Sequence, residues 1–178
     1  MSYARTPEQR AGDFAGARAF EEEVVGALGA AGYGGWHALD ETDKLDFMHP
    51  GWVVEIKEKN QRINTQRWDT PTAERDSFII DELSVRKAID DPLPVFFVLR
   101  DNIEHRIFCV PLEELVGLPK RRMNRRGPTG HDKGKWIVSL EECIQLLLPN
   151  VAEFCHTYIV QRRGLRSECI GGKEVAQL

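Results

Sequence analysis

Apolar positions along the chain follow two different periods. Between residues 17 and 28 they recur at helical spacing. Phe20, Val24 and Leu28 stand at i, i+4 and i+8, with Ala17 and Val25 beside them. Upstream, Thr6-Pro7-Glu8-Gln9 reads as an N-cap, a first-turn proline and a capping-box partner. The pattern predicts a helix from Thr6 or Asp13 to Ala30, closed by Gly32 or Gly34. The period then shortens. Strands are predicted over 36–39, 44–48 and 52–57, the last two joined by His49-Pro50-Gly51. A polar stretch, 58–76, precedes a predicted helix over 77–89 with Ile79, Ile80, Leu83 and Ile89 on its buried side. Val95 to Leu99 is continuously apolar, the mark of a strand buried on both faces. A strand over 106–110, a helical turn over 112–116, a basic loop and a short strand over 136–138 follow. Ser139 and Glu142 form a capping box for a helix over 140–148, which Pro149 breaks or kinks, with a further helical stretch reaching Arg163.

The order is α-β-β-β-α-β, which predicts an α/β domain with a mixed central sheet and terminal helices. At 178 residues the chain suits a single domain, with a core at about 13–138 and a C-terminal helical extension at about 139–170. A composition of 42% hydrophobic and 29% charged residues is that of an ordinary globular protein. No apolar run reaches the length of a membrane span, and the first residues have no apolar signal-peptide region. A cytoplasmic protein is therefore the expectation. Cys109, Cys143, Cys155 and Cys169 form no CxxC pair, so unbridged thiols are expected and not a zinc site.

The formal net charge of −4 speaks against a nucleic-acid partner until its distribution is considered. Lys120 to Lys135 carries seven Lys or Arg against one Asp: Lys120, Arg121, Arg122, Arg125, Arg126, Lys133 and Lys135 oppose Asp132. The acids gather elsewhere, at Glu21, Glu22, Glu23, Asp40, Glu41, Asp43 and Asp46. A basic segment apart from an acidic cluster suits a protein that holds phosphates with one part and metal ions with another.

The chemistry is concentrated in Trp52-Val53-Val54-Glu55-Ile56-Lys57. Strand alternation puts Glu55 and Lys57 on one face with Val53, and Val54 and Ile56 on the other. A hairpin symmetric about Pro50-Gly51 pairs 49 with 52, 48 with 53, 47 with 54 and 46 with 55. Asp46 then faces Glu55 with Cβ atoms about 4.5–5.5 Å apart. Carboxylates that close repel unless a cation lies between them. On the first helix, Glu21 falls inside the apolar arc while Glu22 and Glu23 fall outside it, so Glu21 is the glutamate turned toward the sheet.

Glu21 on a helix, Asp46 on a strand and Glu55-Ile56-Lys57 on the next, in an α-β-β-β-α-β order, resemble the PD-(D/E)XK nuclease superfamily. The helix sequence AFEEEVVGALGAAGY is similar to the opening of small Holliday-junction resolvases. The likeness covers roughly residues 17 to 100. It implies a restriction-endonuclease-like fold in which Asp46, Glu55 and the Ile56 carbonyl hold Mg²⁺ or Mn²⁺. Lys57 would position or activate the attacking water, and Glu21 would be a further metal-linked acid. Leu45-Asp46 stands where the family has Pro-Asp, and the exonuclease-type Gln-xxx-Tyr signature is absent, with Gln61 and Gln66 as alternative candidates near the site. The implied function is an endonuclease acting on DNA, including structured or branched DNA, and the resolvase likeness implies a homodimer. The alternatives are a nuclease-fold protein that binds nucleic acid or regulates a partner without catalysis, and a protein-interaction domain, which the negative charge favours. The basic segment is expected to be a mobile loop that tracks phosphates.

Overall fold

The computed structural model describes residues 6–35, 37–38, 45–64, 68–126 and 132–171. The protein is α/β, with a six-stranded mixed sheet and a three-stranded antiparallel one. Helix α1 spans Pro7–Ala30. Its apolar arc is buried as the spacing requires: Phe20, Val24 and Leu28 have no exposed surface. Such side chains contribute about 1.5–3 kcal/mol each when fully buried. The helix stops at Gly32, whose φ of 89° is available without strain only to glycine. The Gly32 amide donates to the Gly29 carbonyl and the Tyr33 amide to that of Leu28, both at 3.0 Å. Tyr33 packs against the cluster that contains Leu28, closing the helix end with an apolar contact.

Strands β1 (His37–Ala38), β2 (Phe47–His49) and β3 (Trp52–Lys59) form one antiparallel edge of the large sheet. The hairpin register is the one expected, with Phe47 opposite Val54, Met48 opposite Val53 and His49 opposite Trp52. Gly51, at φ 140°, makes the turn. Strand β4 (Ser77–Asp81) then leaves for the second sheet, and α2 (Glu82–Ile89) returns the chain to β5 (Val95–Asp101). Strand β5 lies parallel to β3 at the sheet centre, and Val95 through Leu99 are buried as the apolar run predicts. Strand β6 (Arg106–Pro111) and the short β9 (Gln145–Leu146) complete the sheet in the order β1-β2-β3-β5-β6-β9. After β6 come helix α3 (Leu112–Gly117), the hairpin β7 (Lys120–Arg126) and β8 (Asp132–Ser139), and later helix α4 (Val151–Gly171). The second sheet is ordered β4-β8-β7.

The large sheet separates two apolar clusters. On one face Val54, Ile56, Phe96 and Val98 meet Phe20, Val24 and Leu28 of α1 and Val151, Ala152 and Cys155 of α4. On the other, Val53, Phe97 and Leu99 meet Phe78, Ile80 and Val138 of the second sheet and Val85 and Ala88 of α2. Among the described residues, no helix is long and apolar enough to cross a membrane.

Four elements differ from the sequence expectation. Residues 77–81 are a strand, so the helix predicted over 77–89 starts at Glu82. Its buried side is Glu82, Val85 and Ala88, whereas Leu83 and Ile89 are exposed. The Phe78-Ile79-Ile80 run reads equally as helix or strand, and pairing with β8 decides it. The basic loop is the β7–β8 hairpin, paired from Lys120 with Val138 to Arg126 with Asp132. Residues 140–148 form a turn and strand β9, and Pro149 lies in a 3-10 turn that leads into α4 where a break was expected. The strand predicted over 44–48 begins only at Phe47.

Candidate active site

Strand β3 carries Glu55 and Lys57 on the face that holds Val53, toward α2 and the second sheet. Its β2-side edge is open beyond Val54, because β2 begins only at Phe47. Asp46, in the bend before β2, fills that gap with its side chain: Oδ2 accepts the Ile56 amide at 2.6 Å. The carboxylate thus takes a backbone donor that a longer β2 would have paired, and this fixes it beside the strand.

Lys57 turns back over the same opening. Its Nζ lies 2.6 Å from Glu55 Oε1 and 3.5 Å from Asp46 Oδ2, and it donates to the Ile56 carbonyl at 2.9 Å. The two carboxylates and one backbone oxygen therefore converge on a single ammonium. Glu55 is 4% exposed in its side chain and Lys57 is 28% exposed. The Ser84 hydroxyl of α2 lies close enough to the Glu55 carboxylate to favour its charged form.

These surroundings set the acidities. Burial raises Glu55, Lys57 pulls it down, Asp46 pushes it up again, and the net direction is upward. For Lys57, burial lowers the pKa, but the carboxylates of Glu55 and Asp46 outweigh it and hold the ammonium more tightly protonated than usual. Glu21 is also raised, first by burial and then by Asp46, against the pull of Lys57 and Arg18. Glu21 is half-buried on α1 while Glu22 and Glu23 are exposed, as the helical arc predicts. It feels the charges of Asp46, Lys57 and Glu55. The structure thus brings Asp46, Glu55 and Lys57 into direct contact, and places Glu21 as an electrostatic neighbour.

The other expected site residues fall elsewhere. Gln61 is exposed just beyond β3, and Gln66 lies outside the described residues. In the basic hairpin, Arg122 binds Glu82 of α2 through Nε at 2.9 Å and Nη2 at 2.8 Å. Lys135 pairs with Asp81, Arg121 stands 3.4 Å from Asp69, and Lys120 lies over the Trp136 ring. Dense basic residues were expected to lack acids; the fold supplies them from distant sequence. The side chains of Arg125, Arg126 and Lys133 are outside the described residues. Cys109 of β6 and Cys155 of α4 are free thiols, their sulfurs 3.4 Å apart, and Cys143 is free as well.

Sequence reasoning missed Ser84. A serine on a surface helix carries no signal by itself, and the boundary at Glu82 was needed to turn it toward Glu55. It also missed Arg100, whose guanidinium binds Glu58 and Glu23 and lies 3.8 Å over the Phe20 ring, tying α1 to β3 and β5.

No family model matches the chain. No curated protein matches it. Among solved structures it is similar to D212, a nuclease from a fusselovirus, at 13% sequence identity and a TM-score of 0.47, covering 89% of this chain and 99% of that one.

Proposed function

We propose that the protein is a metal-dependent nuclease of the PD-(D/E)XK type that hydrolyses phosphodiester bonds in DNA. The observation that carries this reading is the convergence of Glu55, Asp46 and the Ile56 carbonyl on one cation, the Lys57 ammonium. Among the described residues, no group of three or more His, Cys, Asp or Glu side chains is spaced to hold a metal ion. The donor set fits one nonetheless: two carboxylates and a backbone carbonyl are hard oxygen donors, and a positive charge already stands among them. Asp46, Glu55 and the Ile56 carbonyl would hold Mg²⁺ or Mn²⁺. When bound, such an ion compensates the carboxylates, engages the scissile phosphate and lowers the pKa of water.

The remaining roles belong to the chain. Lys57 steadies the attacking water or the charge that develops on the phosphate. Glu21, its pKa raised by burial, orders water at the α1 side of the site. Ser84 lies beside the Glu55 carboxylate and favours its charged form. The β7–β8 hairpin supplies phosphate contacts, with Arg121 held by an exposed ion pair to Asp69 that a phosphate would displace.

The test is cleavage of plasmid and branched DNA in Mg²⁺, Mn²⁺ or EDTA. Cleavage is expected with either ion and none in EDTA. Asp46→Asn and Glu55→Gln should abolish it with the fold intact, because they remove charge from the ion and not packing from the core. Binding of DNA without cleavage under every condition would leave a nuclease-like binding protein. Cleavage by Glu55→Gln at the wild-type rate would place the chemistry elsewhere.

A further inference from the structure

We infer that Lys57 is the resident cation of this site and must leave its present seat for a divalent ion to enter. The inference rests on the metal-dependent reading above and adds to it how the site is governed. The Lys57 ammonium is in contact with the same three oxygens that would bind the ion: Glu55 Oε1 at 2.6 Å, the Ile56 carbonyl at 2.9 Å and Asp46 Oδ2 at 3.5 Å. An ion bound to those oxygens sits roughly 2.0–2.6 Å from each. A monovalent and a divalent cation cannot share that space, both for want of room and because they repel.

The structure also says which partner moves. Asp46 is held by the Ile56 amide at 2.6 Å. Glu55 is almost fully buried, its side chain 4% exposed, so it has little room to move. Among the described residues, Lys57 is anchored through the contacts that an incoming ion would replace. Its four-carbon stem is flexible, and 28% of its side chain reaches solvent. The carboxylates are therefore preset, and the lysine is the mobile part. In the metal-free protein it suppresses the repulsion between Asp46 and Glu55; on binding it swings outward, to the side where a phosphate would be met. Metal affinity is consequently lowered by an internal competitor.

The experiment is calorimetric titration of Mg²⁺ and of Mn²⁺ into full-length wild type, Lys57→Met and Lys57→Gln, without nucleic acid, with folding checked by circular dichroism. Lys57→Met keeps the stem and removes the charge. Both variants should bind the ions more tightly than wild type, on the order of tenfold, since the ion no longer has to break the lysine's pairs. Equal or weaker binding by the folded variants overturns the inference. Wild-type protein gives a second reading that needs no variant. Acylation of Lys57 by an amine-reactive ester, followed by peptide mass spectrometry, should speed up several-fold in Mn²⁺; an unchanged or slower rate overturns the inference. Failure of all three proteins to bind either ion would sink this inference and the metal-dependent reading together. Tighter binding in the variants, with wild type inert on DNA, would sustain the resident cation and remove the nuclease.

Discussion

Glu55 carries opposing demands. It is buried, next to a second carboxylate, and paired with one lysine. Its pKa is raised above its ordinary value of 4.5, so the folded state binds its proton more tightly than the unfolded state does. The stability it contributes is fully present below about pH 4.5 and is lost as pH rises through the raised value. Denaturant titrations in EDTA should therefore show wild type losing stability relative to Glu55→Gln as pH rises above 4.5. On the proposed metal-dependent reading, the difference should shrink when Mg²⁺ or Mn²⁺ is added, because the ion would take over the compensation of charge. A Glu55→Gln variant with the same pH dependence as wild type would show that burial costs this carboxylate nothing. Asp76 has the opposite sign. The Arg106 guanidinium holds its carboxyl below the usual range, so its contribution is present at neutral pH and lost as pH falls through the depressed value.

The β7–β8 hairpin shows how an element's charge is spent. Arg122 and Arg86 both bind the Glu82 carboxylate, which seats the hairpin on α2. Gly134 makes this possible: a Cβ there would lie 1.7 Å from Glu82 Oε2. Gly134→Ala should push the carboxylate off Arg122, and hydrogen exchange of the β7 amides should accelerate while that of β5 stays unchanged. Equal β7 protection in the variant would mean that strand pairing alone holds the hairpin. On the proposed nuclease reading, DNA binding should divide along the same line. Replacing Arg121, Arg125 and Arg126 by Ala should lower the slope of log K against log salt by up to about one unit each. Arg122→Ala should change the slope less, since Glu82 already neutralises that guanidinium. An unchanged slope in the triple variant would leave the −4 net charge as a standing objection to a DNA partner.

The two sheets are joined by more than the shared apolar core. Lys59 at the end of β3 meets Asp101 of β5 at 3.2 Å and the Glu74 and Arg75 carbonyls that lead into β4. Arg106 of β6 meets both Asp101 and Asp76. Asp101, at the end of β5 opposite Lys59 of β3, is thus the carboxylate between two buried or half-buried cations. Asp101→Ala leaves both cations underpaired and should cost about 3–5 kcal/mol in denaturant unfolding. A loss under about 1 kcal/mol would mean that Asp76 and the backbone carbonyls suffice. On the proposed metal-dependent reading, a protein that survives the change should still titrate divalent ions, because Asp46 is held by the Ile56 amide and Glu55 by Lys57, outside this network.

Local pattern was enough to define α1 and its inward arc, the turn at Gly51, the hairpin register, the buried β5 and the Glu55-Ile56-Lys57 strand. Each depends on the periodicity of neighbouring residues or on a backbone angle that only glycine takes freely. Phe78-Ile79-Ile80 was ambiguous because a short apolar run satisfies helix and strand alike; its ladder with β8, some sixty residues away, made it β4. The basic segment read as a loop because its acids, Glu82, Asp81 and Asp69, are near only in space. The expected register would pair Asp46 with Glu55, but strand β2 begins only at Phe47, so that pair is not formed. Asp46 consequently holds the Ile56 amide, and the ammonium of Lys57 stands between the carboxylates. The side-chain types of the site follow from spacing along two short strands, whereas the cation seat they form depends on where a strand stops and on which helix packs behind it.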